Sequence, residues 1–233
     1  MYALVTGSSK GIGFAIARKF VQNGIHLILN SRNIIELESV RAELLGINPS
    51  VKILCCEADL SKKRGIETLS EFIYKECKEL DILVNNAGVY LPGNIIHSEE
   101  GLLEKLMNAN LYSAFYLTNS LLPKLRKSQA ASIFNICSIA GLDPYKGGSL
   151  YCISKFAMNG FSRCLRQELL NDSIKVTTVY PGATWSDSWK GATIPDSRIM
   201  QAEDVAEAII SCVRMSPAAV VEEIIMRPQL GDL

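Results

Sequence analysis

Short apolar runs alternate with longer amphipathic stretches along the whole of this chain, and few folds accept that pattern. Seven runs read as strands: Tyr2–Thr6, His26–Asn30, Val51–Glu57, Ile82–Asn85, Ala131–Cys137, Lys175–Tyr180 and Ala219–Met226. Several are nearly continuous in Leu, Ile and Val, as parallel strands buried on both faces should be. Between them lie helical patterns at Gly11–Asn23, Asn33–Leu45, Ser61–Glu79, Glu99–Lys127, Leu150–Leu170 and Ala202–Arg214. Strand, helix and strand in repeated succession imply right-handed crossovers and an α/β, doubly wound, seven-stranded parallel sheet with helices on both faces. No repeat, low-complexity tract or linker interrupts the pattern, so residues 1–233 are expected to form one domain. Ser61 and Ser98 are expected to cap the third and fourth helices. The stretch from Tyr180 to Met200 lacks periodicity and holds Pro181, Gly182, Gly191 and Pro195, so residues 183–200 read as a substrate flap.

The first strand runs directly into Thr6-Gly7-Ser8-Ser9-Lys10-Gly11-Ile12-Gly13 and then a helix. Glycines at 7, 11 and 13 let the chain turn sharply and bring backbone N–H groups to a phosphate, beside the positive end of the helix. A plain turn is the competing reading, and the flanking strand and helix weigh against it. At the end of the second strand, an NAD site would place an acid to accept from the ribose 2′-hydroxyl. Here Ser31 and Arg32 follow Asn30 instead. Arg32 and Lys10 could neutralise a 2′-phosphate and Ser31 could donate to it, which favours NADP(H) over the alternative of two solvated surface cations. Asp59-Leu60 follows the third strand, where the carboxylate either accepts from an adenine amino group or caps the next helix. Asn85-Asn86-Ala87-Gly88 ends the fourth strand, near where strand order reverses and ligands bind. There Asn86 can satisfy several backbone groups, and Ala87 and Gly88 permit close approach to a ribose.

Tyr151 and Lys155 stand at i and i+4, on one face of a helix. Such a pair is common and usually structural; Ser138, at the mouth of the preceding strand, raises its interest. Carbonyl reduction needs a hydride donor and a proton donor on one carbonyl. A free phenol titrates near ~10, too high for efficient exchange at neutral pH. The ammonium of Lys155 and the positive nicotinamide ring are expected to lower that value, while Ser138 holds the substrate oxygen beside the phenol. With these motifs in hand, the chain resembles the short-chain dehydrogenase/reductase family, short single-domain type. Thr6–Gly13, Asn85–Gly88, Asn110, Ser138, Tyr151–Lys155 and Pro181-Gly182 carry the resemblance in order over nearly the full length. The resemblance implies a strand order of 3-2-1-4-5-6-7. It makes Tyr151 the acid in reduction and the base in oxidation, and has Lys155 bind the nicotinamide ribose. It has Ser138 polarise the carbonyl, and Asn110 hold a water linking Lys155 to solvent. Pro181-Gly182 would lie against the nicotinamide, with Thr184 bonding its carboxamide.

Composition narrows the rest. Twenty-four basic and twenty-four acidic side chains give zero net charge, which argues against a nucleic-acid partner. Seven cysteines without a C-x-x-C pair read as reduced intracellular thiols. His26 and His97 lack neighbours at ligand spacing, so no metal site is expected. No apolar run approaches the ~18 residues of a membrane span, and a cytoplasmic location is expected. The helix carrying Leu103, Leu106, Met107, Leu111, Phe115, Leu117 and Leu121 is apolar on several faces, as is the helix of Tyr151. The excess points to a subunit contact, which the resemblance makes that of a homodimer or homotetramer, unless helices of the same chain cover it. The leading reading is an NADPH-dependent reductase of a small-molecule ketone or aldehyde, reversibly an alcohol dehydrogenase. A 3-oxoacyl thioester is one candidate substrate, although no basic cluster marks a carrier-protein dock. Tyr90, Tyr145, Trp185 and Trp189 are candidate pocket aromatics. The alternative is a non-catalytic NADP-binding sensor or interaction protein on the same fold.

Overall fold

The computed structural model describes residues 1–186, 189, 191 and 193–232. Strands β1 (Tyr2–Thr6), β2 (His26–Ser31), β3 (Ile53–Glu57), β4 (Ile82–Asn85), β5 (Ser132–Ile136), β6 (Lys175–Pro181) and β7 (Glu223–Met226) form one sheet. Their order is β3-β2-β1-β4-β5-β6-β7, and every neighbouring pair is parallel. The helices are α1 (Gly11–Gln22), α2 (Ile34–Ile47), α3 (Lys63–Glu76), α4 (Leu102–Met107), α5 (Ser113–Leu125), α6 (Ser149–Glu168) and α7 (Ala202–Val213).

The near-continuous apolar strands have a simple cause. Successive side chains of a strand point to opposite faces, and here both faces are covered. Ala3, Val5, Leu27, Leu29, Ile82 and Val84 enter one core with α1, α2 and α7. Leu4, Ile28, Leu83, Ile133 and Val176 enter the other with α3, α5 and α6. Strand order reverses between β1 and β4, so the carboxyl ends of these strands open the crevice where ligands of such sheets bind.

Four local expectations are corrected. Ser61 does not cap α3: its hydroxyl donates to the Asp59 carboxylate at 2.7 Å, and Lys62 stands at the helix start. Ser98 does not cap α4, because Gly101 (φ +79°) makes the turn into Leu102. The long helix expected over Glu99–Lys127 is broken by a π-turn at Asn108–Tyr112. The wide turn carries Asn110, which is 1% exposed, and such insertions frequently sit at functional sites. The last strand is also shorter than expected, since only Glu223–Met226 pairs with β6.

Candidate active site

The turn after β1 is shaped by contacts that only glycine permits. Gly7 has φ +62°, and a Cβ on Gly13 would lie 2.3 Å from the Gly7 carbonyl oxygen. The start of α1 therefore presses directly on the turn. Its first turn holds no acidic residue, and its N-cap, Lys10, makes no side-chain cap bond. Backbone donors at this helix end suit an anion. Ser9, Gly11 and Ile12 lie half-buried along the turn, and Lys10 is exposed.

Side chains behind the turn are committed to holding it. Thr6 Oγ1 accepts from the backbone N–H of Asn86 and of Ala87, both at 2.9 Å. The Asn86 amide donates to the carbonyls of Thr6 and Gly7 at 2.9 and 3.0 Å. Ser8 is buried and donates to the Asn30 carbonyl, while Asn30 donates across to Cys56 and Ala58. Asn86 thus clamps the glycine turn, and its side chain is spent there. Arg32 is exposed on the turn after β2 and makes no ion pair among the described residues. The Ser31 hydroxyl donates to the Asn33 carbonyl at 3.0 Å. Asp59 accepts from the Ser61 backbone and hydroxyl and pairs with Lys62 at 3.5 Å. Partial burial raises its pKa, but these bonds outweigh it and hold the carboxyl below its usual range. Leu60, next to it, is core.

At the far end of the crevice, Tyr151 lies in the first turn of α6 and shares a hydrogen bond with the Ser138 side chain. The Ser138 hydroxyl also accepts from the Ala140 backbone N–H at 3.1 Å. One turn on, the Lys155 ammonium donates to the Ile136 carbonyl at 3.1 Å and lies 5.7 Å from the Tyr151 ring centroid. The fourth strand joins this group: a Cβ on Gly88 would stand 3.8 Å from Lys155 Nζ and 2.9 Å from Asn110 Oδ1. Asn110 accepts from Val89 N–H at 2.7 Å and donates to the Val89 carbonyl and to Ser154 Oγ, each at 3.0 Å. It therefore bolts the loop after β4 to α6. After β6, Gly182 donates to the Met226 carbonyl at 2.8 Å and the Thr184 hydroxyl to the Gly182 carbonyl at 3.0 Å. The predicted residues thus gather along one crevice, from the glycine turn to α6.

A family model described as short chain dehydrogenase matches residues 1–195. The chain belongs to that family. It is 32% identical over 238 residues to the sepiapterin reductase of Chlorobaculum tepidum, across 99% of this chain and 97% of that one. It is 31% identical over 223 residues to the NADP-dependent 3-hydroxy acid dehydrogenase of Salmonella typhi, across 90% and 87%. The Pseudomonas aeruginosa RhlG/NADP active-site complex superposes with a TM-score of 0.90 at 29% identity, covering 98% of this chain and 95% of that one.

In this short-chain dehydrogenase the phenol departs from expectation. Burial pushes the Tyr151 hydroxyl above its ordinary value, with Cys137, Cys152 and Tyr90 adding to the rise; the Ser138 hydrogen bond opposes it. Lys155 does not reverse the balance, because burial disfavours its own charge and lowers its pKa. The sequence shows the ammonium one turn away but not the apolar packing that surrounds both groups.

Sequence reading also missed how the substrate side is arranged. The Tyr90 ring stands edge-on to Tyr151 with centroids 5.1 Å apart. Tyr145 is hydrogen-bonded to Tyr90, and burial raises its hydroxyl as well. The loops that carry them are tied by Gly93 N–H donating to the Gly147 carbonyl at 3.0 Å. Tyr90 and Tyr145 stand among the candidate pocket aromatics, but their contact joins segments distant in sequence. The flap of 183–200 lies partly outside the described residues, at 187, 188, 190 and 192. Its two ends are pinned: Trp185 N–H donates to the Met200 carbonyl, and Met200 N–H to the Ala183 carbonyl.

Proposed function

We propose that this chain is an NADPH-dependent reductase of a small-molecule ketone or aldehyde, working reversibly with Tyr151 as acid and base. The convergence of Ser138, Tyr151 and Lys155 on one crevice with the glycine turn carries the reading. The residues present fit the dinucleotide: Gly7, Ser9, Lys10, Gly11, Ile12 and Gly13 would form the phosphate cradle, and Ser31 and Arg32 would hold the 2′-phosphate. Asp59 and Leu60 would take the adenine end, and Ala87 and Gly88 the ribose that Lys155 would also bind. Pro181, Gly182 and Thr184 would take the nicotinamide end. When bound, the dinucleotide supplies the hydride.

The protein's own part is to position and to move a proton. Ser138 donates to the carbonyl oxygen and orients it against the Tyr151 hydroxyl. Tyr151 gives up its proton as charge develops on that oxygen. Lys155, with its ammonium at the Ile136 carbonyl, offsets the phenolate that remains. Asn110 keeps Val89 and α6 in register during this exchange. Tyr90 and Tyr145 line the approach to the phenol. Aromatic edges suit carbonyls that carry a flat ring; a 3-oxoacyl thioester is the other candidate.

Purified protein mixed with NADPH and a panel of aryl ketones, cyclic diketones and 3-oxoacyl thioesters tests the reading. Consumption of NADPH with at least one class supports it. Tight NADPH binding with no turnover of any class would instead make the chain a binding or sensor protein.

A second copy of the chain is the partner we propose for α5 and α6. Tyr112 just before α5, Phe115 and Tyr116 on α5, and Ile153 and Phe156 on α6 are each exposed; the rings of Tyr112 and Phe115 both meet Tyr116, and Phe115 also meets Phe161 edge-on. Contiguous apolar surface of this kind marks an association site. Light scattering should show a dimer or tetramer, and Phe115→Glu should shift it to monomer. The seven free thiols, five of them buried, suit the reducing cytoplasm. No helix among the described residues is long and apolar enough to cross a membrane.

A further inference from the structure

Tyr180 is the largest fully buried side chain of the core, with 0% exposure, yet it keeps a hydroxyl there. Its partners form a chain that ends at the catalytic turn. The hydroxyl lies 3.0 Å from Asn159 Oδ1 and 3.4 Å from Glu223 Oε1. Arg163 pairs with the same Glu223 carboxylate at 2.7 Å. On its other side, the Asn159 amide donates to the Gly141 carbonyl at 3.0 Å. Gly141 in turn donates its N–H to the Ser138 carbonyl at 2.9 Å.

The direction of this chain follows from what each group can do. A carbonyl only accepts, so the Asn159 atom facing Gly141 must be the NH₂ nitrogen. Its oxygen is then left to accept from Tyr180, whose single proton has Asn159 Oδ1 at 3.0 Å as its nearer acceptor and Glu223 Oε1 at 3.4 Å as the farther one. Burial, then the Glu223 carboxylate and Cys137, raise the Tyr180 pKa, so the donor stays protonated at working pH. Gly141 is held flat on α6: a Cβ there would lie 2.6 Å from Cys137 Sγ and 2.7 Å from the Lys155 carbonyl oxygen. The turn bearing Ser138 is therefore fastened to the helix bearing Tyr151 and Lys155 through Asn159, and Tyr180 sets which way the Asn159 amide points.

We infer that Tyr180 and Asn159 are positioning residues that hold Ser138 in reach of Tyr151; the inference rests on the carbonyl-reductase reading above. Neither residue is placed against substrate or cofactor. Removing the Tyr180 hydroxyl frees the Asn159 amide to turn and loosens Ser138. The Ser138 hydrogen bond is what pulls the Tyr151 pKa down, so loosening it moves the Tyr151 titration to higher pH. The other titratable groups around Tyr151 are Lys155, whose ammonium lies 5.7 Å from its ring, and Cys137, Cys152, Tyr90 and Tyr145.

Tyr180→Phe and Asn159→Asp are the tests. Each should lower kcat by about ten- to a hundred-fold, the cost of a small misplacement of a catalytic group, with NADPH affinity and Tm little changed. The double variant should be no worse than the more damaged single one, because the two act as one unit. Apart from turnover, the tyrosinate absorbance lost on adding Tyr151→Phe should titrate at higher pH in the Tyr180→Phe background than in the wild type. If Tyr180→Phe fails to fold, Asn159→Asp, which is only partly buried, carries the same measurements. A kcat within two-fold of wild type and an unmoved titration would overturn the assignment. A wild type that reduces no carbonyl would overturn the proposed function instead, and the titration arm would still decide this inference.

Discussion

At the turn after β1, the side chains of Thr6, Ser8 and Asn86 are all used inside the protein, and what faces the crevice is backbone. At the mouth of β5 the arrangement is inverted: Ser138, Tyr151 and Lys155 present side chains, and burial has moved the pKa of the last two. In the proposed function the first region serves as a rigid mould for an anion, which needs many fixed N–H dipoles and no titrating group. The second serves there as a reactive cluster, which needs a proton that can leave. Damage at one end should cost binding, and damage at the other should cost turnover.

The sharpest way to break that contrast is Tyr151→Phe. It removes the acid without emptying the core, so turnover should fall by roughly 10²–10⁴-fold while NADPH titrations remain at wild-type affinity. A parallel loss of NADPH binding would show that the two ends are not separable. Gly13→Ala acts on the other side. Its methyl would meet the Gly7 carbonyl oxygen at 2.3 Å, and overpacking of this sort costs about 1–3 kcal/mol. Calorimetry should record a Tm lower by several degrees, and NADPH affinity should weaken more than ten-fold. Arg32→Asp probes the edge of the mould alone. A charge-assisted bond to phosphate contributes about 1.5–3 kcal/mol, so the ratio of NADPH to NADH efficiency should drop at least ten-fold; a wild type that already prefers NADH would contradict the phosphate assignment.

The smallest effect concerns stability. Lys155 is buried with a lowered pKa, so between its folded and unfolded values the unfolded chain binds the extra proton. That term destabilises the fold, and it fades as pH rises towards the unfolded lysine value. Lys155→Met should abolish activity yet raise Tm by a few degrees near neutrality. The gain should shrink in melts run at increasingly alkaline pH; a gain that grows with pH would reject the assigned cause.

Much of the scaffold was legible in the chain because its signals are local. Parallel strands wrapped on both faces must be apolar throughout, and β1, β2 and β4 read that way to within a residue. The glycine turn is visible because each glycine answers a backbone need within a few residues. Helix starts were less legible. Ser61 and Ser98 have the right chemistry for caps, but Asp59 competes for the first and the φ of Gly101 removes the need for the second. The π-turn at Asn110 escaped detection, since an apolar helix containing one asparagine looks continuous until Val89 is brought to meet it.

By itself the sequence determined that a doubly wound sheet would form, that its first turn would be built on glycines, and that Tyr151 and Lys155 would share one side of a helix. These follow from periodicity, from glycine and from the pitch of a helix, all of which act over a handful of residues. Only the tertiary structure decided that Ser138 bonds that phenol, that burial raises its pKa where Lys155 was expected to lower it, and that Tyr180 reaches the catalytic turn through Asn159. Each of these depends on which groups are taken out of water together, and on partners delivered by different strands. Hydration and long-range contact are properties of the packed chain, and no local pattern encodes them.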